Sequence, residues 1–274
     1  MKFPRRTMQI LLTVLGAYVG ICGLLWAFQE RLIFHPRAVA VTPWNPPAEP
    51  IEIARDEAVL RGWVVNAQSV GPVIVYFGGN AEEVSGNVKN WAERRATTVL
   101  VNYRSYGDST GSPSERALRS DGIAISEWAR AEFPDRPLVL LGLSLGSGIA
   151  ALTAQHVEPD GLILISPYRS VEHIARRSLP FVPVGFLLRH RFSAENAAPD
   201  LPRTLVIASP RDYVIPIGEN MAMVETIKAA AKHRVEVRTF EVSHFGFMHH
   251  PGVWRAVDEF LVTVATSPRG EDDD

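Results

Sequence analysis

Ser144 stands in Gly142-Leu143-Ser144-Leu145-Gly146, after the apolar run Leu138-Val139-Leu140-Leu141 and before small residues at helical spacing over 147–154. A strand, a sharp turn and a helix with serine at the tip present a hydroxyl beside a helix N-terminus. Glycine two positions to either side follows from the crowding of such a turn, which leaves no space for side chains there. The chemistry this suits is nucleophilic attack on a carbonyl, with the Leu145 amide donating to the developing oxyanion. The competing reading is an ordinary strand-to-helix turn whose glycines let the helix pack closely on the sheet.

A serine hydroxyl is a poor nucleophile at neutral pH without a base, and the base needs a carboxylate to fix its tautomer. Both partners are expected after Ser144, in loops at the C-terminal ends of strands. Asp212 has that address, following the apolar run 204–208 through Ser209-Pro210-Arg211, whereas Asp200 precedes that run and Glu219 falls within the next helix. A turn or helix-capping role is the alternative for Asp212. His244 follows the strand-like run 235–241 in Val242-Ser243-His244-Phe245-Gly246-Phe247, and its rivals in the same loop are His249 and His250, just before Pro251. For those two a surface or capping role is expected. A second oxyanion donor is expected from the loop Phe77-Gly78-Gly79-Asn80-Ala81-Glu82, where two glycines allow close backbone approach, and the backbone amide of Asn80 is the candidate. A plain glycine turn is the alternative. The remaining histidines lack ligand spacing, so neither a metal site nor a cofactor is expected.

The elements that must position these groups alternate. Strand patterns over 51–54, 59–65, 72–77, 97–102, 138–141, 162–165, 204–208 and 235–241 are interleaved with helical spacing over 84–95, 115–132, 145–156, 217–231 and 252–265. Short apolar strands separated by amphipathic helices predict an α/β fold with a mostly parallel sheet covered on both faces, its first two strands forming an antiparallel edge. The stretch 168–202 breaks the rhythm with Pro180, Pro183, Pro199 and Pro202 around apolar pieces. It is either a short cap over the site or a pair of packing helices.

The chain has 274 residues, of which 46% are hydrophobic, enough for one large core. A net charge of −2 with no basic block in the body argues against nucleic acid as a partner, and a single cysteine, Cys22, excludes an internal disulfide framework. Residues 8–28 are almost continuously apolar, with no charge between Arg6 and Glu30, and about 20 such residues cross a bilayer as a helix. The absence of a small-x-small cleavage site favours an uncleaved anchor over a signal peptide. Lys2, Arg5 and Arg6 precede this stretch, while Arg31 and Arg37 follow it beside Glu30, which biases the N-terminus towards the cytoplasm. The expected layout is an anchor and juxtamembrane segment (1–37), a proline-rich connector (38–50), a folded domain (51–265) and an acidic disordered tail (266–274). On this layout the anchor stands apart from the chemistry.

Beyond the serine turn, several motifs resemble the α/β-hydrolase superfamily, and within it the membrane-anchored serine hydrolases of the bud-emergence (Bem) group. They are Gln29-Glu30-Arg31-Leu32-Ile33-Phe34-His35-Pro36, Tyr76-Phe77-Gly78-Gly79-Asn80-Ala81, Asn102-Tyr103-Arg104-Ser105-Tyr106-Gly107-Asp108-Ser109, Gly111-Ser112-Pro113-Ser114-Glu115, Ser166-Pro167, Arg211-Asp212-Tyr213-Val214-Ile215-Pro216 and Ser243-His244-Phe245. The resemblance covers nearly everything from 28 to 265. It implies an eight-stranded fold and a Ser144–Asp212–His244 triad acting on ester or thioester bonds, with a small-molecule or lipid ester or thioester as the expected substrate. The charge bias around the span favours a single-pass protein of a bacterial inner membrane with a periplasmic domain, and a cytosol-facing domain is the alternative. Two positions depart from the group's pattern: Gly78 stands where a histidine is usual, which predicts a looser oxyanion loop, and Ser105 replaces a glycine, which predicts a narrower cleft. The Gly78 departure is also the ground for a rival reading, a catalytically weak or inactive interaction protein that keeps the fold.

Overall fold

A computed structural model describes residues 4–36, 48–230 and 234–266. The connector prolines Pro43, Pro46 and Pro47 and almost all of the acidic tail lie outside the described residues. The chain opens with helix α1 (Arg5–Phe34), which runs past the apolar stretch into the juxtamembrane motif and ends at His35, whose backbone φ is +42°. Eight strands follow: β1 (Ala48–Arg55), β2 (Ala58–Val65), β3 (Val73–Phe77), β4 (Thr97–Val101), β5 (Leu138–Leu143), β6 (Gly161–Ile165), β7 (Thr204–Ala208) and β8 (Val235–Thr239). They form one sheet in the order β1-β2-β4-β3-β5-β6-β7-β8. β2 runs antiparallel to β1 and β4, and every pair from β4 to β8 is parallel. This is the mostly parallel sheet with an antiparallel edge that the sequence predicts. β1 begins at Ala48, ahead of the predicted start, and Pro50 is tolerated because β1 is an edge strand with one side free of a ladder.

The parallel strands are buried on both faces, which explains their near-continuous apolar runs. Alternation along β3 sends Val73, Val75 and Phe77 to one core and Ile74 and Tyr76 to the other. The first core is closed by α3 (Glu115–Glu132), α4 (Leu145–Val157) and α7 (Ile217–Ala230), the second by α2 (Val88–Ala92) and α8 (Pro251–Thr266). The predicted helix over 84–95 is a 3-10 turn, Val84–Asn87, followed by the short α2. Glu83 caps this turn by accepting from the Ser85 amide, and Asn102 on the neighbouring loop accepts from the Val84 amide, which satisfies two of the free donors at its start. Between β6 and β7 lie α5 (Val171–Ser178), the one-turn α6 (Val184–Leu187) and a 3-10 stretch, Ala194–Asp200.

Candidate active site

The turn between β5 and α4 is forced into shape by backbone crowding. A Cβ at Gly142 would lie 2.2 Å from the Gly146 carbonyl oxygen, and one at Gly146 would lie 2.0 Å from that of Phe77, so neither position admits a side chain. Ser144 itself adopts φ +53° and ψ −118°, a conformation that costs a non-glycine residue about 1–3 kcal/mol and persists only when its surroundings impose it. They do: the Ser144 amide donates to the Ile165 carbonyl at 2.9 Å, and the Ser144 carbonyl accepts from the Ser147 hydroxyl at 2.6 Å.

The three residues singled out from sequence meet in space. Ser144 Oγ lies 3.0 Å from His244 Nε2, and His244 Nδ1 lies 2.8 Å from Asp212 Oδ2. All three are buried, at 8%, 7% and 4% exposure for Ser144, His244 and Asp212. The second carboxylate oxygen of Asp212 accepts from the amides of Val214 and Ile215, each at 2.9 Å, while Ser166 Oγ donates to Oδ2 at 2.6 Å. Burial by itself would raise the Asp212 carboxyl, but the hydrogen bonds from His244, Ser166 and the Ile215 amide outweigh it and hold its pKa below the ordinary value. An ionised, acceptor-only carboxylate requires a proton on His244 Nδ1, which leaves Nε2 as the acceptor facing the serine.

The rival groups lie outside this hydrogen-bonded chain. His250 Nδ1 accepts from the Gly252 amide at the start of α8, and His249 is exposed. Glu219 pairs with Arg169 at 3.0 Å, and Asp200 accepts from Gln155.

The loop after β3, Phe77-Gly78-Gly79-Asn80-Ala81-Glu82, is not loose. Glu82 folds back under it, accepting from the Gly79 amide at 2.6 Å and from the Tyr76 hydroxyl at 2.7 Å, with Asn87 Nδ2 as a further donor at 2.5 Å. The Tyr103 hydroxyl donates to the Gly78 carbonyl at 2.8 Å. A Cβ at Gly78 would lie 3.1 Å from the Glu82 carboxyl carbon, so the bare glycine makes space for the glutamate that organises the turn. Because Glu82 occupies the Gly79 amide, that amide is not available to a ligand. Asn80, Ser144 and Leu145 line one cleft. Burial pushes the Glu82 carboxyl above its ordinary pKa, against the lowering effect of its three donors. Ser105 does not narrow the cleft either: its hydroxyl turns away to the Gly111 carbonyl at 2.5 Å.

The cleft, about 290 Å³, is largely apolar and is walled by two regions distant in sequence. One is the segment after β6, including Ile174, Val182 and Leu187; the other is the end of α1, through Leu25, Trp26, Gln29, Leu32 and Ile33. The expected separation of anchor and chemistry therefore does not hold. Gln29 is buried, donating to the Leu187 carbonyl and accepting from the Arg189 amide at 2.7 Å, and Phe34 is fully enclosed against His190 and Phe192. Hydropathy identifies a helix of this length but does not show which side chains a distant loop will meet.

The family described as alpha/beta hydrolase fold matches residues 72–198, which contain the serine turn and the oxyanion-side loop. Over that stretch the chain resembles the α/β-hydrolase superfamily. Among its hydrolase-fold relatives, an uncharacterized protein of Mycobacterium tuberculosis is 28% identical over 223 residues, covering 77% of this chain and 79% of that one. The lysophosphatidylserine lipase ABHD12 of Bos taurus is 30% identical over 218 residues, covering 64% of this chain and 54% of the lipase, so the likeness spans about half of that protein. In structure, an esterase of Pyrococcus furiosus superposes with a TM-score of 0.68 at 16% identity, over 83% of this chain and 95% of the esterase. That last likeness concerns the fold alone.

Sequence reasoning about this hydrolase fold missed two contributors. Ser166, with φ +51°, was legible only as part of a family dipeptide, and its donation to Asp212 emerges from the β6–β7 pairing. Glu82 was the last residue of a glycine loop, and nothing in its spacing announced that it would turn back onto Gly79.

Proposed function

We propose that this chain is a membrane-anchored serine hydrolase that cleaves carboxylic ester or thioester bonds through an acyl-enzyme on Ser144. The observation that carries the reading is the continuous Ser144–His244–Asp212 hydrogen-bonded chain at the tip of a strained turn. Nε2 of His244 takes the serine proton as Oγ attacks the carbonyl carbon, and the resulting imidazolium is stabilised by Asp212. The backbone amides of Leu145 and Asn80 are assigned to the oxyanion. His244 then gives the proton to the leaving group and, in the second half-reaction, activates the water that releases the acid.

The apolar cleft supports an acyl substrate, lipid or small molecule, and the lipase activity named for the bovine relative points to the lipid end of that range. The motif over 29–36 supports the narrower likeness to the bud-emergence group, and the excess of basic residues before the span supports a periplasmic domain on a bacterial inner membrane. The rival interaction-protein reading drew on Gly78 alone, and Glu82 beneath that loop speaks against it. A fluorophosphonate probe should label the full-length protein and fail on Ser144→Ala, with esters and thioesters graded by chain length giving the acyl preference. Equal labelling of both proteins would reject Ser144 as nucleophile.

A further inference from the structure

Segment 179–188, Leu179-Pro180-Phe181-Val182-Pro183-Val184-Gly185-Phe186-Leu187-Leu188, carries no charge, yet of these residues only Val184 is buried. Phe181 is 86% exposed and Phe186 is 90% exposed, with Leu179 partly so. Large side chains so displayed in water mark a surface that meets another apolar phase. The segment also touches α1 at an informative place: the Tyr18 hydroxyl donates to the Phe181 carbonyl at 2.8 Å.

Helix geometry shows what that contact requires. The uncharged part of α1 begins after Arg6, and residues 7–17 rise only about 17 Å at 1.5 Å per residue. A hydrocarbon layer of about 30 Å takes about 20 residues, which from Thr7 ends at Trp26. Tyr18 is therefore well inside the layer when α1 spans it, and so is the loop bonded to Tyr18. The charged bracket around the segment fits this depth. Arg189 sits over the Trp26 ring at 5.1 Å and pairs with Glu30 at 3.4 Å, at the level where the layer ends, with an interfacial aromatic and snorkelling cations.

Most of the backbone is matched, as an apolar phase requires, where unmatched amides are costly. Six of the eight amides of the segment, those of Leu179, Val182, Val184, Phe186, Leu187 and Leu188, donate to backbone carbonyls, and Pro180 and Pro183 have no amide hydrogen. The carbonyls of Phe181, Gly185 and Leu187 accept from Tyr18, Arg191 and Gln29. Leu179, Val182, Val184, Leu187 and Leu188 turn inward to the cleft that contains Ser144, sharing it with Leu25, Trp26, Leu32 and Ile33 of α1.

We propose that 179–188 is a second membrane-embedded element, lying against α1 in one leaflet, so that the cleft opens into the lipid and takes a substrate's acyl chain directly from the bilayer. The second clause rests on the serine-hydrolase reading; the first does not. Both are tested on the full chain in phosphatidylcholine vesicles. An environment-sensitive label on Phe181→Cys or Phe186→Cys, in a Cys22→Ser background, should be quenched by brominated acyl chains and protected from aqueous iodide. Quenching by iodide and not by brominated lipid would overturn the embedding. In the same vesicles, Phe181→Asp combined with Phe186→Asp should lower turnover of a long-chain lipid ester by about tenfold or more, given the cost of placing charge in hydrocarbon, while a short water-soluble ester is turned over within about twofold of wild type. Equal loss on both esters would overturn entry from the bilayer. A wild-type protein that turns over neither ester would defeat the serine-hydrolase reading and leave the quenching result to decide the embedding.

Discussion

The serine turn and the α1 wall border the same cleft but are held in opposite ways. At the turn, each constraint is a backbone collision or a short hydrogen bond among buried atoms, and Ser144 is kept in a conformation it would not choose. At the wall, apolar side chains from α1 and the segment after β6 lie side by side, with polar ties through Tyr18, Gln29, Glu30 and Arg189. Bond-making chemistry demands positions fixed to fractions of an ångström, whereas an acyl chain needs only a slot of the right polarity and length. Damage to the turn should therefore appear in kcat, and damage to the wall in chain-length preference.

That contrast can be broken at several points. The largest effect belongs to His244, the proposed base: His244→Ala should lower kcat by roughly three orders of magnitude or more, since members of a triad act as a unit. His249→Ala and His250→Ala should leave it nearly unchanged, and the reverse pattern in steady-state kinetics would move the base to the pair before Pro251. A smaller effect is expected at the loop. Glu82→Ala strips the Gly79 amide and Tyr76 hydroxyl of their acceptor, and a displaced oxyanion donor costs about 100-fold in kcat with little change in KM. A change in KM alone would make Glu82 a substrate contact instead. The smallest effect is at the wall, where Leu32→Ala should raise KM for long acyl chains by less than about tenfold and leave short esters untouched. Equal loss across chain lengths would show that α1 supports the catalytic geometry itself.

The same contrast explains what the sequence disclosed. That Ser144, Asp212 and His244 come together was legible because each occupies a loop address set by strand order, and the turn's glycines have a steric reason that a string of letters preserves. The strands were legible because burial on both faces leaves unbroken apolar runs. The helix expected over 84–95 is present as a 3-10 turn followed by a short α-helix that ends at Ala92, a division that periodicity does not register. Contacts such as Tyr18 with Phe181, or Gln29 with Leu187, join residues with more than half the chain between them and follow from no local pattern. Glu82 shows a subtler limit: its neighbours Gly78 and Gly79 suggested freedom, while the glutamate removes it.

Phe34 has no exposed surface, packed edge-on against His190 and Phe192 at the end of the same helix that carries the apolar span. The span is thus not an interchangeable part. A chimera that borrowed another protein's transmembrane segment of equal length and hydropathy would still reach the membrane, but its rotation about the helix axis would be arbitrary. Helical phase, fixed by Phe34 at one end and by Tyr18 and Gln29 along the shaft, has to be inherited together with the domain. Insertion of a single residue between Trp26 and Phe34 turns the preceding helix by about 100° and carries Leu25 and Trp26 off the cleft without altering hydropathy at all.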